Sequence, residues 1–177
     1  MTDNNFLKEN NARHLWHPMA HPADSQNNPP DIIVEGDGVE ITDIDGHRSV
    51  DSVGGLWNVN LGYSCQPIKD AIAAQLDKLP YYSLFRGTSN DAAIELSWML
   101  KEFFAPDGLT RAFYTSGGSD SVEVALRLAR QYHKLRGEGA RVKYLSLKKG
   151  YHGTHTLGAS VNGNSNFRTQ YEPLMPG

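Results

Sequence analysis

"FYTSGGSDSVEVALRLAR", Phe113 to Arg130, joins three textures with no spacer between them. Phe113-Tyr114-Thr115 is a β-type run and Ser116-Gly117-Gly118-Ser119 a small polar turn, after which a long run of helix formers begins at once. A helix N-terminus leaves its first N–H groups unpaired, and the helix dipole adds roughly half a positive charge there. Glycines let an anion come close to those groups without a Cβ in the way, and a serine hydroxyl adds a donor. The turn is neither a Walker A loop nor the dinucleotide Gly-x-Gly-x-x-Gly pattern. Plain capping is the competing reading, because Asp120-Ser121-Val122-Glu123 fits a capping box. The turn alone leaves both readings open.

On either side of this stretch the sequence alternates. Arg111–Thr115 reads as a strand, Ser119–Leu135 as a helix and Val142–Leu147 as a second strand. That order predicts a β-α-β unit of a parallel α/β sheet with a right-handed crossover. Val122, Ala125, Leu126 and Ala129 recur at the spacing of a helix face laid on a sheet. The second strand runs into "KKGYHGTHTLGAS", where Tyr151, His152 and Gly153 emerge at a strand's carboxyl end. Ligands gather at that end of such sheets, and an aromatic face there can stack on a planar ring. A solvated loop is the plain alternative.

Upstream, Pro67 suits the first turn of a helix with Ile68, Ile72 and Leu76 on one face. A further helix starts near Asn90 or Asp91 and carries Ile94 and Trp98 through Phe104. Residues 31–66 read as a small antiparallel meander, with strands at Ile32–Val34 and Val39–Ile41, a Gly36-Asp37-Gly38 separator and a turn at Asp45-Gly46. Within it, Trp57 lies in "GGLWNVNLGYS", where it could line a pocket or be partial core. Residues 1–30, rich in Asn, Pro and His, read as an irregular arm. The expected domains are therefore 1–30, 31–66 and an incomplete sheet domain over 67–177.

Composition sets the outer limits. With 177 residues and 39% hydrophobic content, the chain can form an ordinary globular core. A formal charge of −3 gives no support to nucleic-acid or anionic-membrane binding. Cys65 stands alone, so no internal disulfide or cysteine-rich metal site is expected, and the three histidines of the arm lack supporting ligands. Neither a secretory signal nor a membrane-spanning run is visible, and the expected location is cytoplasmic.

Taken together, these stretches resemble one family. "HLWHPM", "GVEITDIDGHRSVDSVGGLWNVNLGY", "FYTSGGSDSVEVALRLARQYH" and "YHGTHTLGAS" are similar, in order and spacing, to the N-terminal part of the class III (omega) aminotransferases. The nearest subgroup is the omega-amino acid:pyruvate enzymes. The resemblance implies a fold-type I α/β enzyme that uses pyridoxal 5'-phosphate, with an amine and a keto acid as substrates and a homodimeric full-length form. By the same resemblance Gly117, Gly118 and Ser119 hold the cofactor phosphate, and Tyr151 stacks on the pyridine ring with His152 and Gly153 beside it. Trp57 and Phe85 line the amine pocket, Phe85 serving the partner subunit's site. The family's commonest loop reads Asn-Ser-Gly-Ser-Glu, so here one serine donor has become glycine. Its Schiff-base lysine lies beyond Gly177 in the family pattern, and Lys148 and Lys149 do not match it. The chain alone is therefore expected to be an inactive, truncated portion. A non-catalytic phosphate- or nucleotide-binding module, or a docking fragment, is the rival expectation.

Overall fold

A computed structural model describes residues 3–175. The chain divides into two compact units, Met1–Leu84 and Phe85–Gly177.

The first unit opens with two helices where an irregular arm is expected. Helix α1 (Asn4–His14) is capped by Asp3, whose carboxylate accepts from the Asn5 amide at 3.2 Å. Helix α2 (Pro22–Asn27) starts with proline in its first turn and is capped by the His21 ring. Neither has an apolar periodicity to betray it. Local capping and the Asn11 side-chain bond to the Pro30 carbonyl (2.7 Å) hold this region instead. An antiparallel sheet of order β1-β2-β3 follows, made of Ile33–Asp37, Glu40–Asp43 and Arg48–Val50. The meander is present, but Gly36 and Asp37 belong to β1, and the first turn is made by Gly38-Val39 between the paired Asp37 and Glu40. The second turn does fall around Asp45-Gly46, with Thr42 opposite Arg48. The Asp43 carboxylate staples it by accepting from the amides of Asp45 and His47, both at 2.9 Å. A single helical turn, α3 (Gly54–Trp57), leads to helix α4 (Gln66–Lys78), which carries Pro67 in its first turn as expected.

The second unit holds helices α5 (Asp91–Phe103), α6 (Gly118–Leu135) and α7 (Thr156–Val161). Asn90 caps α5 by accepting from the Ala93 amide at 2.9 Å. The two strands expected around α6 do not form: residues 111–115 and 142–147 have no ladder partner among the described residues. A β-prone run becomes a strand only when a neighbour supplies its hydrogen bonds. Leu145 and Leu147 accordingly stay 102% and 82% exposed. The predicted buried face of α6 is correspondingly incomplete, with Val122 and Leu126 half-buried but Ala125 and Ala129 exposed. Residues 142–147 are held instead by side chains. The Tyr144 hydroxyl donates to the Leu126 carbonyl at 2.6 Å, and Arg130 lies over the Tyr144 ring. Among the described residues, the buried side chains of this unit, Leu157, Ala159 and the fully buried Asn162, cluster at α7 and the loop after it.

Candidate functional site

Helix α6 begins at Gly118, with Gly117 at the cap position and therefore no capping side chain. Its first bond runs from the Ser121 amide to the Gly117 carbonyl at 3.0 Å. The amides of Gly118, Ser119 and Asp120 therefore have no intrahelical acceptor. The capping-box reading is overturned, because Glu123 does not reach back to its own helix start. Its carboxylate accepts from the Leu157 amide at 2.9 Å and the Gly158 amide at 3.3 Å, so it caps α7 instead. Asp120 is also occupied, with Oδ1 3.2 Å from His155 Nδ1.

The two glycines of the turn have no internal cause. A Cβ on Gly117 or Gly118 would meet nothing within 4 Å, and neither residue takes a positive φ. Crowding and backbone conformation therefore leave both positions free for larger residues. Such a turn leaves room for an anion to approach the unpaired amides.

Gly153 is a different case. Its φ is +96°, and a Cβ there would fall 2.9 Å from both the Cα and the Oγ of Ser119. This contact brings the Tyr151-His152-Gly153 loop onto the start of α6. The Thr154 amide donates to Ser119 Oγ at 3.3 Å, leaving the hydroxyl proton free for another acceptor. Asn162, absent from the sequence reading, holds the loop in place. It is fully buried. Its Oδ1 accepts from the His152 amide and its Nδ2 donates to the Gly153 carbonyl at 2.9 Å. Only the Asn162-Gly163 turn signal marked this stretch, and a turn signal says nothing about a contact ten residues away. Glu123 was visible in the sequence but was assigned the wrong helix.

Tyr151 is 57% exposed, with its ring 5.2 Å from that of Phe167 in an edge-on arrangement. The Nε2 of His152 is buried without a hydrogen-bond partner among the described residues. A buried nitrogen with no partner is costly and points to a group that completes the site. The structure thus brings Gly117, Gly118, Ser119, His152 and Gly153 into one cluster, with Tyr151 on the same loop. Phe85 stands apart, 78% exposed with Arg86 6.0 Å from its ring centroid.

Trp57 belongs to the first unit and sits on unusual backbone. Gly54, Gly55, Leu56 and Trp57 have φ of 57°, 57°, 59° and 68°, a left-handed turn. For Leu56 and Trp57 this conformation costs about 1–2 kcal/mol each. The Asp51 carboxylate anchors the turn, accepting from the Gly55 amide (2.6 Å), the Val53 amide (3.1 Å) and the Tyr63 hydroxyl (2.6 Å). These bonds, that from Tyr63 first, hold the Asp51 carboxyl below the usual aspartate range. The same contact pushes the Tyr63 phenol up. Among the described residues no cluster of potential metal ligands is present, and no helix is long and apolar enough to cross a membrane.

Comparison with known proteins accounts for this arrangement. The family model "Aminotransferase class-III" matches residues 22–177. An uncharacterized aminotransferase of Bacillus subtilis, YhxA, is 39% identical over 98% of this chain and 37% of its own length. The putrescine–pyruvate aminotransferase of Pseudomonas aeruginosa is 32% identical over 82% of this chain and 32% of its own. Among solved structures, an amine transaminase from an uncultivated Pseudomonas species, in its PLP-bound form, superposes with a TM-score of 0.88 at 46% identity. That match covers 93% of this chain and 37% of the other. An omega-transaminase from Thermomicrobium roseum gives 0.94 at 32% identity, over 100% of this chain and 39% of the other. The chain thus spans between 32% and 39% of the length of these relatives, and its fold is that of the fold-type I PLP-dependent transaminases. Pyridoxal phosphate, the family's cofactor, fits the residues here: two open glycine positions and unpaired helix-start amides for its phosphate. The chain belongs to the class-III aminotransferases.

Proposed function

We propose that this chain supplies the phosphate-binding turn and the ring-stacking loop of a transaminase moving an amino group from an amine or omega-amino acid to a keto acid such as pyruvate. The observation that carries this reading is the pair Gly117 and Gly118, left open on an uncapped helix start. In this reading the amides of Gly118 and Ser119 and the Ser119 hydroxyl donate to the phosphate. Thr154 orients that hydroxyl by occupying its lone pair. Tyr151 offers its ring face to the pyridine, with His152 and Gly153 beside it on the same loop. Trp57 and Phe85 contact the amine, Phe85 in a homodimer on behalf of the partner subunit. When bound, the cofactor supplies the electron sink and the carrier for the amino group. The lysine that holds it covalently is none of the lysines of this chain, which alone is catalytically inactive.

The test compares pyridoxal phosphate with pyridoxal, which lacks the phosphate, in an enzyme of the relatives' full length that carries this segment. Gly118→Ala should weaken the first and leave the second unchanged. Equal losses for both ligands would remove the phosphate from this turn.

A further inference from the structure

The left-handed turn Gly54–Trp57 has no side-chain packing that explains it: Leu56 and Trp57 are 64% and 78% exposed. Its support comes from the backbone side. The Trp57 amide reaches the Val53 carbonyl at 2.9 Å, and the amides of Asn58 and Val59 both reach the Gly54 carbonyl at 2.9 Å. Asp51 then ties the turn to Tyr63. Tyr63 is itself fixed to the sheet. Its amide donates to the Gly38 carbonyl at 2.8 Å, and its ring lies so close to Gly36 that a Cβ there would approach it to 2.6 Å. A continuous chain of contacts therefore runs from the β1–β2 hairpin through Tyr63 and Asp51 to the backbone under Trp57. Gly55 is part of it, since a Cβ there would strike the Val59 side chain at 2.7 Å.

Strained backbone persists only where its surroundings over-determine it, and it gathers at binding sites. We propose that Asp51, through Tyr63, is a positioning residue for amine recognition: it holds the left-handed turn that presents Trp57 to the substrate's side chain. This rests on the reading of Trp57 as an amine contact. Asp51 itself touches no substrate; its effect is on which amines fit against the indole.

Two variants separate this role from general stability. Tyr63→Phe keeps the ring on Gly36 and removes only the hydroxyl bonded to Asp51; Asp51→Asn weakens the anchor directly. The first readout needs no activity: the near-ultraviolet circular dichroism of Trp57 in a background of Trp16→Phe and Trp98→Phe. Both variants should shrink or shift that band while far-ultraviolet dichroism is retained. The second readout uses an enzyme of the relatives' full length carrying this segment. KM for an amine with a bulky aromatic substituent should rise about tenfold, as expected for one lost charge-assisted hydrogen bond. KM for a small linear amine, kcat and cofactor affinity should stay close to the unmodified protein. An unchanged indole band and an unchanged KM in Tyr63→Phe would overturn the proposal even if Trp57→Ala alters amine KM. Should Trp57→Ala leave every amine KM unchanged, the pocket reading fails, and with it the assignment of Asp51 to specificity.

Discussion

Gly153 lies against Ser119 so closely that a Cβ on the glycine would stand 2.9 Å from both the serine's Cα and its Oγ. That approach joins the Tyr151 loop to the start of α6, and it sets Gly153, which the fold requires, apart from Gly117 and Gly118, which the proposed reading gives to the cofactor phosphate. Gly153→Ala should destabilise the second unit, since it meets both a clash and a positive φ. Gly117→Ala should leave the thermal midpoint nearly unchanged and cost pyridoxal phosphate affinity. A thermal melt and a cofactor titration on each variant check the contrast.

Ser119→Ala removes one donor to a charged group, which is worth about 1.5–3 kcal/mol. Cofactor retention should fall by that amount while the rate at saturating cofactor changes less. Unaltered affinity for pyridoxal phosphate would leave Ser119 with only its contact to Thr154.

For Tyr151 the expectation is an ordering. Tyr151→Phe keeps the ring and should retain most cofactor binding, whereas Tyr151→Ala should lose about 1–2 kcal/mol if stacking resembles other aromatic pairs. Binding constants and turnover of the three proteins decide it. Phenylalanine as poor as alanine would point to work done by the phenol.

Asn162→Ala leaves the buried His152 amide and Gly153 carbonyl without partners. At about 1–3 kcal/mol per unsatisfied group, a loss of about 2–6 kcal/mol of stability is expected. Glu123→Ala frees the amides of Leu157 and Gly158, both buried residues, and should cost a comparable amount. Chemical denaturation with amide hydrogen exchange at residues 150–158 measures both.

Acid should loosen the first unit in a specific way. The His47 amide foremost lowers the Asp43 carboxyl, and the Tyr63 hydroxyl foremost lowers that of Asp51. A depressed folded value means that the unfolded chain binds protons first as pH falls. The stabilisation is complete above the ordinary aspartate value near 4 and drains away below it as each folded group titrates. Tyr63, raised by Asp51, contributes the opposite limb: present below the ordinary tyrosine value near 10, lost as pH climbs past the raised one. Acid titrations of Asp43→Asn and Asp51→Asn, followed by circular dichroism, should be flatter than that of the unmodified chain.

Local chemistry was legible from the sequence wherever neighbours along the chain supply the cause. Pro67 opening α4, Asn90 capping α5, the turn at Asp45-Gly46 and the long helix after Gly117 depend on residues a few positions apart. The family motifs were legible for the same reason, being contiguous runs with fixed spacing. What the tertiary structure decided depends on partners far along the chain. Residues 111–115 and 142–147 have strand composition, but a strand exists only with a neighbour to bond, and none is present among the described residues. Glu123 fits a capping box by spacing, yet its carboxylate goes to amides 34 and 35 residues away, because α7 also begins with unpaired N–H groups. Asn162 carries no signal of this contact in the sequence, and only the fold buries its amide against two loop backbone groups. Spacing reveals which groups need partners; only the fold determines which partner each receives.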